Sequence, residues 1–172
     1  MTRFAPNLKD AHAGFPMLSR GEYEFEITNV RVFYRVKDDG AESAGATISL
    51  KCTGKVESDG SITTDKEEFP SAGEQVNPNR LYIHTPKAFG MTKQFIMAAL
   101  GYPIKDEKLA NEEYFDDADF SIDVDDGDPD NIETIAGGSW DDLKGKSLRM
   151  TADMRMWQGN EQQDYRSFSP LK

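Results

Sequence analysis

Gly21-Glu22-Tyr23-Glu24-Phe25-Glu26-Ile27-Thr28-Asn29-Val30-Arg31-Val32-Phe33-Tyr34-Arg35-Val36 is the most informative stretch of the chain. Tyr23, Phe25 and Ile27 alternate with Glu22, Glu24 and Glu26. Beyond Thr28-Asn29 the phase switches: Val30, Val32, Tyr34 and Val36 take the apolar positions, and Arg31, Phe33, Arg35 and Lys37 take the others. A period of two is the signature of a half-buried strand. A phase change inside one such run predicts a bulge or sharp bend, because a one-residue slip exchanges the two faces of a sheet. Small closed barrels turn their corners with such bends.

The flanking sequence extends this pattern. Residues 1–19 read as an irregular arm, broken by Pro6, Gly14 and Pro16. Lys37-Asp38-Asp39-Gly40 opens a turn. A second strand follows, with Ile48, Leu50, Cys52 and Val56 on one side and Lys51, Thr53 and Lys55 on the other. Asp59-Gly60 predicts a hairpin turn leading to Ile62. Residues 64–79 read as a loop, and Arg80-Leu81-Tyr82-Ile83-His84 as a short strand. A helix then starts with Thr85 as N-cap and Pro86 at its first position. Phe89, Ile96, Met97 and Leu100 share one of its faces, and Gly101 and Pro103 stop it. Residues 105–142 read as an acidic, loop-rich insert with a short helix near Asn111–Phe115. Leu148, Met150, Ala152, Met154 and Met156 alternate with Arg149, Thr151, Asp153, Arg155 and Trp157, and Gln158-Gly159-Asn160 turns the chain into a last strand over 162–169. Strand, strand, strand, helix, strand, strand is the order of an OB-like five-stranded Greek-key barrel. The expectation is one mostly-β domain over 1–172, with its helix after the third strand and the acidic insert before the fourth.

The formal net charge is −11, which argues against a nucleic-acid partner until its distribution is considered. Between Asp106 and Asp142 lie fifteen acidic residues and one lysine, a net of −14. The other 16 acids and 19 Lys/Arg leave a body of net +3. The outward positions of the expected strands combine cations with rings: Arg31, Phe33, Arg35 and Lys37; Lys51 and Lys55; Arg80, Tyr82 and His84; Arg149, Arg155 and Trp157. Single-stranded nucleic acid requires that mixture, cations for phosphates and flat rings for bases, with stacking contributing about 1–3 kcal/mol per base. Taken strand by strand, the same residues also fit an ordinary solvated sheet face. The acidic segment admits two uses: competition with DNA for the basic surface, or recruitment of a basic replication partner. Competition predicts that deleting 106–138 raises DNA affinity.

Other chemistry finds little footing. His12 and His84 have no Cys or His at metal spacing, and no GxSxG, P-loop or GxGxxG occurs. Asp123 to Asp130 fails the calcium-loop pattern, because the glycine and the terminal glutamate are out of place. Cys52, the single cysteine, reads as a small buried hydrophobe. No membrane span and no N-terminal apolar leader is apparent, so a cytoplasmic protein without catalytic groups, metal or cofactor is expected. Two rivals stay open. One is an acidic interaction module or DNA mimic that acts on replication proteins without touching DNA. The other is a metal-dependent nuclease using residues such as Asp123 and Asp125.

Four blocks carry a family likeness: Leu18-Ser19-Arg20-Gly21-Glu22-Tyr23-Glu24-Phe25-Glu26-Ile27, Phe95-Ile96-Met97-Ala98-Ala99-Leu100-Gly101, Leu143-Lys144-Gly145-Lys146, and Gln158-Gly159-Asn160-Glu161 through Tyr165, Phe168 and Pro170. In this order the chain resembles a bacteriophage family of single-stranded-DNA-binding proteins encoded beside replication genes. The resemblance implies an OB-like fold, sequence-tolerant single-strand binding in phage replication or recombination, and a place in the cytoplasm of the infected host cell. The chain departs from that pattern in lacking an acidic C-terminal tail; its acidity is internal.

Overall fold

Two register shifts bend the first strand, β1 (Gly21–Val36), where it pairs with β2 (Glu42–Val56): one between Glu24 and Phe25, one between Ile27 and Asn29. The second is the phase change visible in the sequence. It keeps Tyr23, Phe25 and Ile27 fully buried and Val30 and Val32 packed on the same core. The computed structural model describes residues 14–102 and 117–171; the helix expected near Asn111–Phe115 lies outside them.

The remaining elements are β3 (Ile62–Thr63), β4 (Gln75–Tyr82), α1 (Pro86–Ala99), β5 (Ile122–Asp125), β6 (Glu133–Ala136), β7 (Ser147–Trp157) and β8 (Asn160–Pro170). The fold is mostly β. Its main sheet has six antiparallel strands in the order β3-β2-β1-β7-β8, with β4 also paired to β2. β5 and β6 form a separate hairpin. The main sheet does not close into a barrel. Among the described residues β4 and β8 share no ladder, and the gap between them is bridged by the Tyr165 hydroxyl, which donates to the Asn77 carbonyl at 2.7 Å.

Helix α1 starts and stops where its sequence dictates. Thr85 Oγ1 accepts from the Ala88 N–H at 3.2 Å, and Pro86 occupies the first turn. At the far end Gly101 adopts φ +81°, its N–H donating to Ala98 O and that of Tyr102 to Met97 O, a Schellman closure. Phe95 meets Phe168 of β8 edge to face, and Thr92 Oγ1 donates to Tyr82 O of β4. The helix therefore spans the two strands whose edges stay apart. At the β7–β8 turn, Gln158 and Gly159 both take positive φ, the I′ geometry that matches strand twist.

Two readings of the sequence need correction. Residues 75–79, expected as loop, belong to β4, which tolerates Pro78 because a register shift there interrupts its pairing with β2. The described part of the acidic insert holds more order than a loop. Phe120 and Trp140 are buried in edge-to-face contact at 5.2 Å, and Trp140 Nε1 donates to Ser121 O. Carboxylates hid this anchor, because two aromatic residues twenty positions apart create no period.

Cys52 is wholly buried, and burial pushes its thiol up to about 12. It packs as the expected hydrophobe.

Candidate nucleic-acid interface

Strand register decides which outward side chains are neighbours. Along the outer face of β1 and β2, Glu26 stands opposite Lys51, then Asn29 opposite Ser49, Arg31 opposite Thr47, Phe33 opposite Gly45 and Arg35 opposite Ser43. β4 extends two of these rows, with Arg80 beside Thr47 and Tyr82 beside Gly45. The result is a strip of five residues on three strands: Arg31, Arg35 and Arg80 around Phe33 and Tyr82. Cross-strand neighbours on one face lie about 4.5–5.5 Å apart, so rows contributed by residues far apart in the chain form one surface.

Gly45 makes the centre of the strip possible. Without a side chain between them, the Phe33 and Tyr82 rings meet edge to face at 5.7 Å. A Cβ at Gly45 would fall 2.0 Å from the Leu81 carbonyl oxygen, so any larger residue forces β4 away from β2. The Arg35 guanidinium lies 5.3 Å from the Phe33 ring centroid, and His84 adds its ring edge to Tyr82. Phe33 and Tyr82 are half-buried, while Arg31, Arg35 and Arg80 are exposed. Among the described residues none of these arginines forms an ion pair.

The strip opens onto a groove of about 700 Å³ at the β4–β8 gap. Arg80 and Tyr82 form one wall and Arg155 and Gln162 the other, with Met91 and Phe168 among its apolar lining. Arg155 thus joins the candidate set, its guanidinium 5.8 Å from the ring of Trp157, which is 53% exposed near the hairpin tip. The groove was not legible in the sequence, because it is a space between strands far apart in the chain.

The remaining expected residues fall elsewhere. Lys37 is exposed just past the end of β1, at the turn to β2. Lys51 sits opposite Glu26, four residues along β2 from the Thr47 row. Lys55 is displaced: the register shift at Thr53 sets it opposite buried Tyr23 and out of line with Lys51. Arg149 is only 8% exposed. Its Nε and Nη2 donate to Glu24 Oε1 at 3.1 and 3.0 Å, and Glu22 lies 3.8 Å away. The β1–β7 register places it opposite Glu24, so it neutralises the acidic half of the outer face. Arg149→Met is expected to lower stability by about 1.5–3 kcal/mol, the range for a charged hydrogen bond, while leaving nucleic-acid affinity unchanged. Denaturant melts beside a binding titration separate these two effects, and a loss of affinity without loss of stability would return Arg149 to the site.

The β5–β6 hairpin is tied to the core side of β1, where Ile122 packs on the same core as Val30 and Val32. Tyr34 shares the face of Val30 and Val32, and its phenol is raised by its 2.7 Å hydrogen bond to Glu42, with smaller contributions from burial and the charges of Glu42 and Asp126. Among the described residues no three His, Cys, Asp or Glu side chains converge as a metal site, and no helix is long and apolar enough to cross a membrane. Compared with protein-family models and with curated proteins, the chain matches none of them.

Proposed function

We propose that the chain is a non-catalytic, sequence-tolerant binder of single-stranded DNA, serving phage replication or recombination. The observation that carries this reading is the strip on β1, β2 and β4, where three guanidiniums, none in an ion pair among the described residues, frame two half-buried rings. Guanidiniums neutralise phosphates, and rings stack on bases of any identity. Duplex DNA offers no free base faces to such a surface. The strand order and the position of α1 support an OB-like arrangement with one seam left open, and the groove at that seam continues the track from Arg80 and Tyr82 towards Arg155 and Trp157. The family likeness of the four sequence blocks points the same way.

The test is a titration with oligo-dT and with duplex DNA at about 50 and about 200 mM salt. Trp157 is the exposed tryptophan and Trp140 the buried one, so quenching lost in Trp157→Phe reports the hairpin tip directly. Three phosphate contacts predict a slope of log affinity against log salt near −2, about −0.7 per contact on a single strand. No binding at the lower salt, or equal affinity for duplex, overturns the reading and favours an acidic module that acts without DNA.

A further inference from the structure

The β5–β6 hairpin has two faces of different chemistry. Ile122, Val124 and Thr134 are partly covered. The alternate positions point to solvent: Asp123 stands opposite Ile135, and Asp125 opposite Glu133. Ile135 is 58% exposed, and Ile132 near the turn is also exposed. An apolar centre framed by three carboxylates calls for a surface with an apolar centre framed by cations. The chain carries such a surface itself, the strip in which Arg31, Arg35 and Arg80 frame Phe33 and Tyr82. Three negative charges match three positive ones. Within one molecule Ile122 ties the hairpin to the core side of β1, whereas the strip lies on that strand's outer face.

We propose that the outer face of the β5–β6 hairpin of one copy docks on the Arg31–Phe33–Arg35–Arg80–Tyr82 strip of a second copy. The contact is head to tail. Each added molecule keeps a free hairpin or a free strip, so association grows with concentration. Its attraction is between exposed charges, so salt dissolves it. On the reading of the strip as the DNA track, a single strand competes for the same guanidiniums and releases the copies, which makes self-docking a store of DNA-free protein.

Two charge-reversed variants test this by complementation in light scattering at low salt. Arg31→Glu with Arg35→Glu keeps the hairpin and loses the strip. Asp123→Lys with Glu133→Lys keeps the strip and loses the hairpin. All four positions are exposed, and the neutral pairs Arg31→Gln with Arg35→Gln and Asp123→Asn with Glu133→Gln serve if a reversed variant fails to fold. The parent is expected to gain mass with concentration and to return to monomer in high salt. Each variant alone stays monomeric; an equimolar mixture of the reversed pairs associates, and a mixture of the neutral pairs, whose altered surfaces carry no swapped charges to attract each other, doubles in mass and grows no further. A mixture that remains monomeric, or parent association that ignores salt, overturns the docking. Oligo-dT that leaves the mixed dimer intact, with no binding to the hairpin variant, overturns the DNA reading while the doubled mass upholds the docking.

Discussion

Trp140→Ala is expected to lower the unfolding free energy by about 3–5 kcal/mol, the usual cost of truncating a buried tryptophan. Trp140 is among the largest fully buried side chains, it packs edge to face on Phe120, and its indole N–H is bonded to Ser121 O. The measurement is urea denaturation, with the midpoint falling and the slope unchanged. A loss below about 1 kcal/mol would mean that the region around Trp140 is a detachable appendage, since surface changes usually fall within about 0.5 kcal/mol. The result also bears on the acidic segment. Deleting 106–138 removes Phe120 and exposes Trp140, so that deletion tests stability before it tests competition. Raised affinity through loss of cis competition is therefore read only where the shortened chain still folds. Asp123→Lys with Glu133→Lys is the cleaner probe of the segment's charge.

Phe33→Ala with Tyr82→Ala is expected to weaken single-strand binding by about 2 kcal/mol or more, roughly thirtyfold, with stacking contributing about 1–3 kcal/mol per base. The rings touch each other, so the single substitutions should not add, and the double-mutant cycle measures how far each ring orients the other. The arginines remain, so the salt slope should hold while affinity falls. Arg31→Gln with Arg35→Gln should do the reverse, flattening the slope by about 1.4 for two lost phosphate contacts. Both pairs are read in the oligo-dT titration. If removing both rings leaves affinity unchanged, stacking on Phe33 and Tyr82 is excluded, and the strip acts through charge alone.

The strip was partly legible in the residues. Arg31, Phe33 and Arg35 alternate with core positions, and so do Arg80 and Tyr82, so local pattern placed all five on outer faces. Pattern could not say that Gly45 lies between the two rings, because that depends on pairing between segments distant in sequence. Arg149 shows the opposite outcome. Its alternation was read correctly, but the strand beside it presents Glu24, and a cation expected to meet phosphate is held by a carboxylate 125 residues away. Lys55 is displaced from the line of Lys51 for a smaller reason, one extra residue at Thr53.

Alternation along β1, β2 and β7, the cap and stop of α1, and the phase change at Thr28 were settled by the chain alone. Each is a contest between a few neighbouring residues over backbone geometry and which side faces water. Which arginines form no ion pair among the described residues, where the β4–β8 seam opens, and that the β5–β6 hairpin packs on the core were settled only by tertiary structure. Those outcomes depend on strand register between distant segments, and a shift of one residue exchanges a cation facing solvent for one facing a carboxylate or the core.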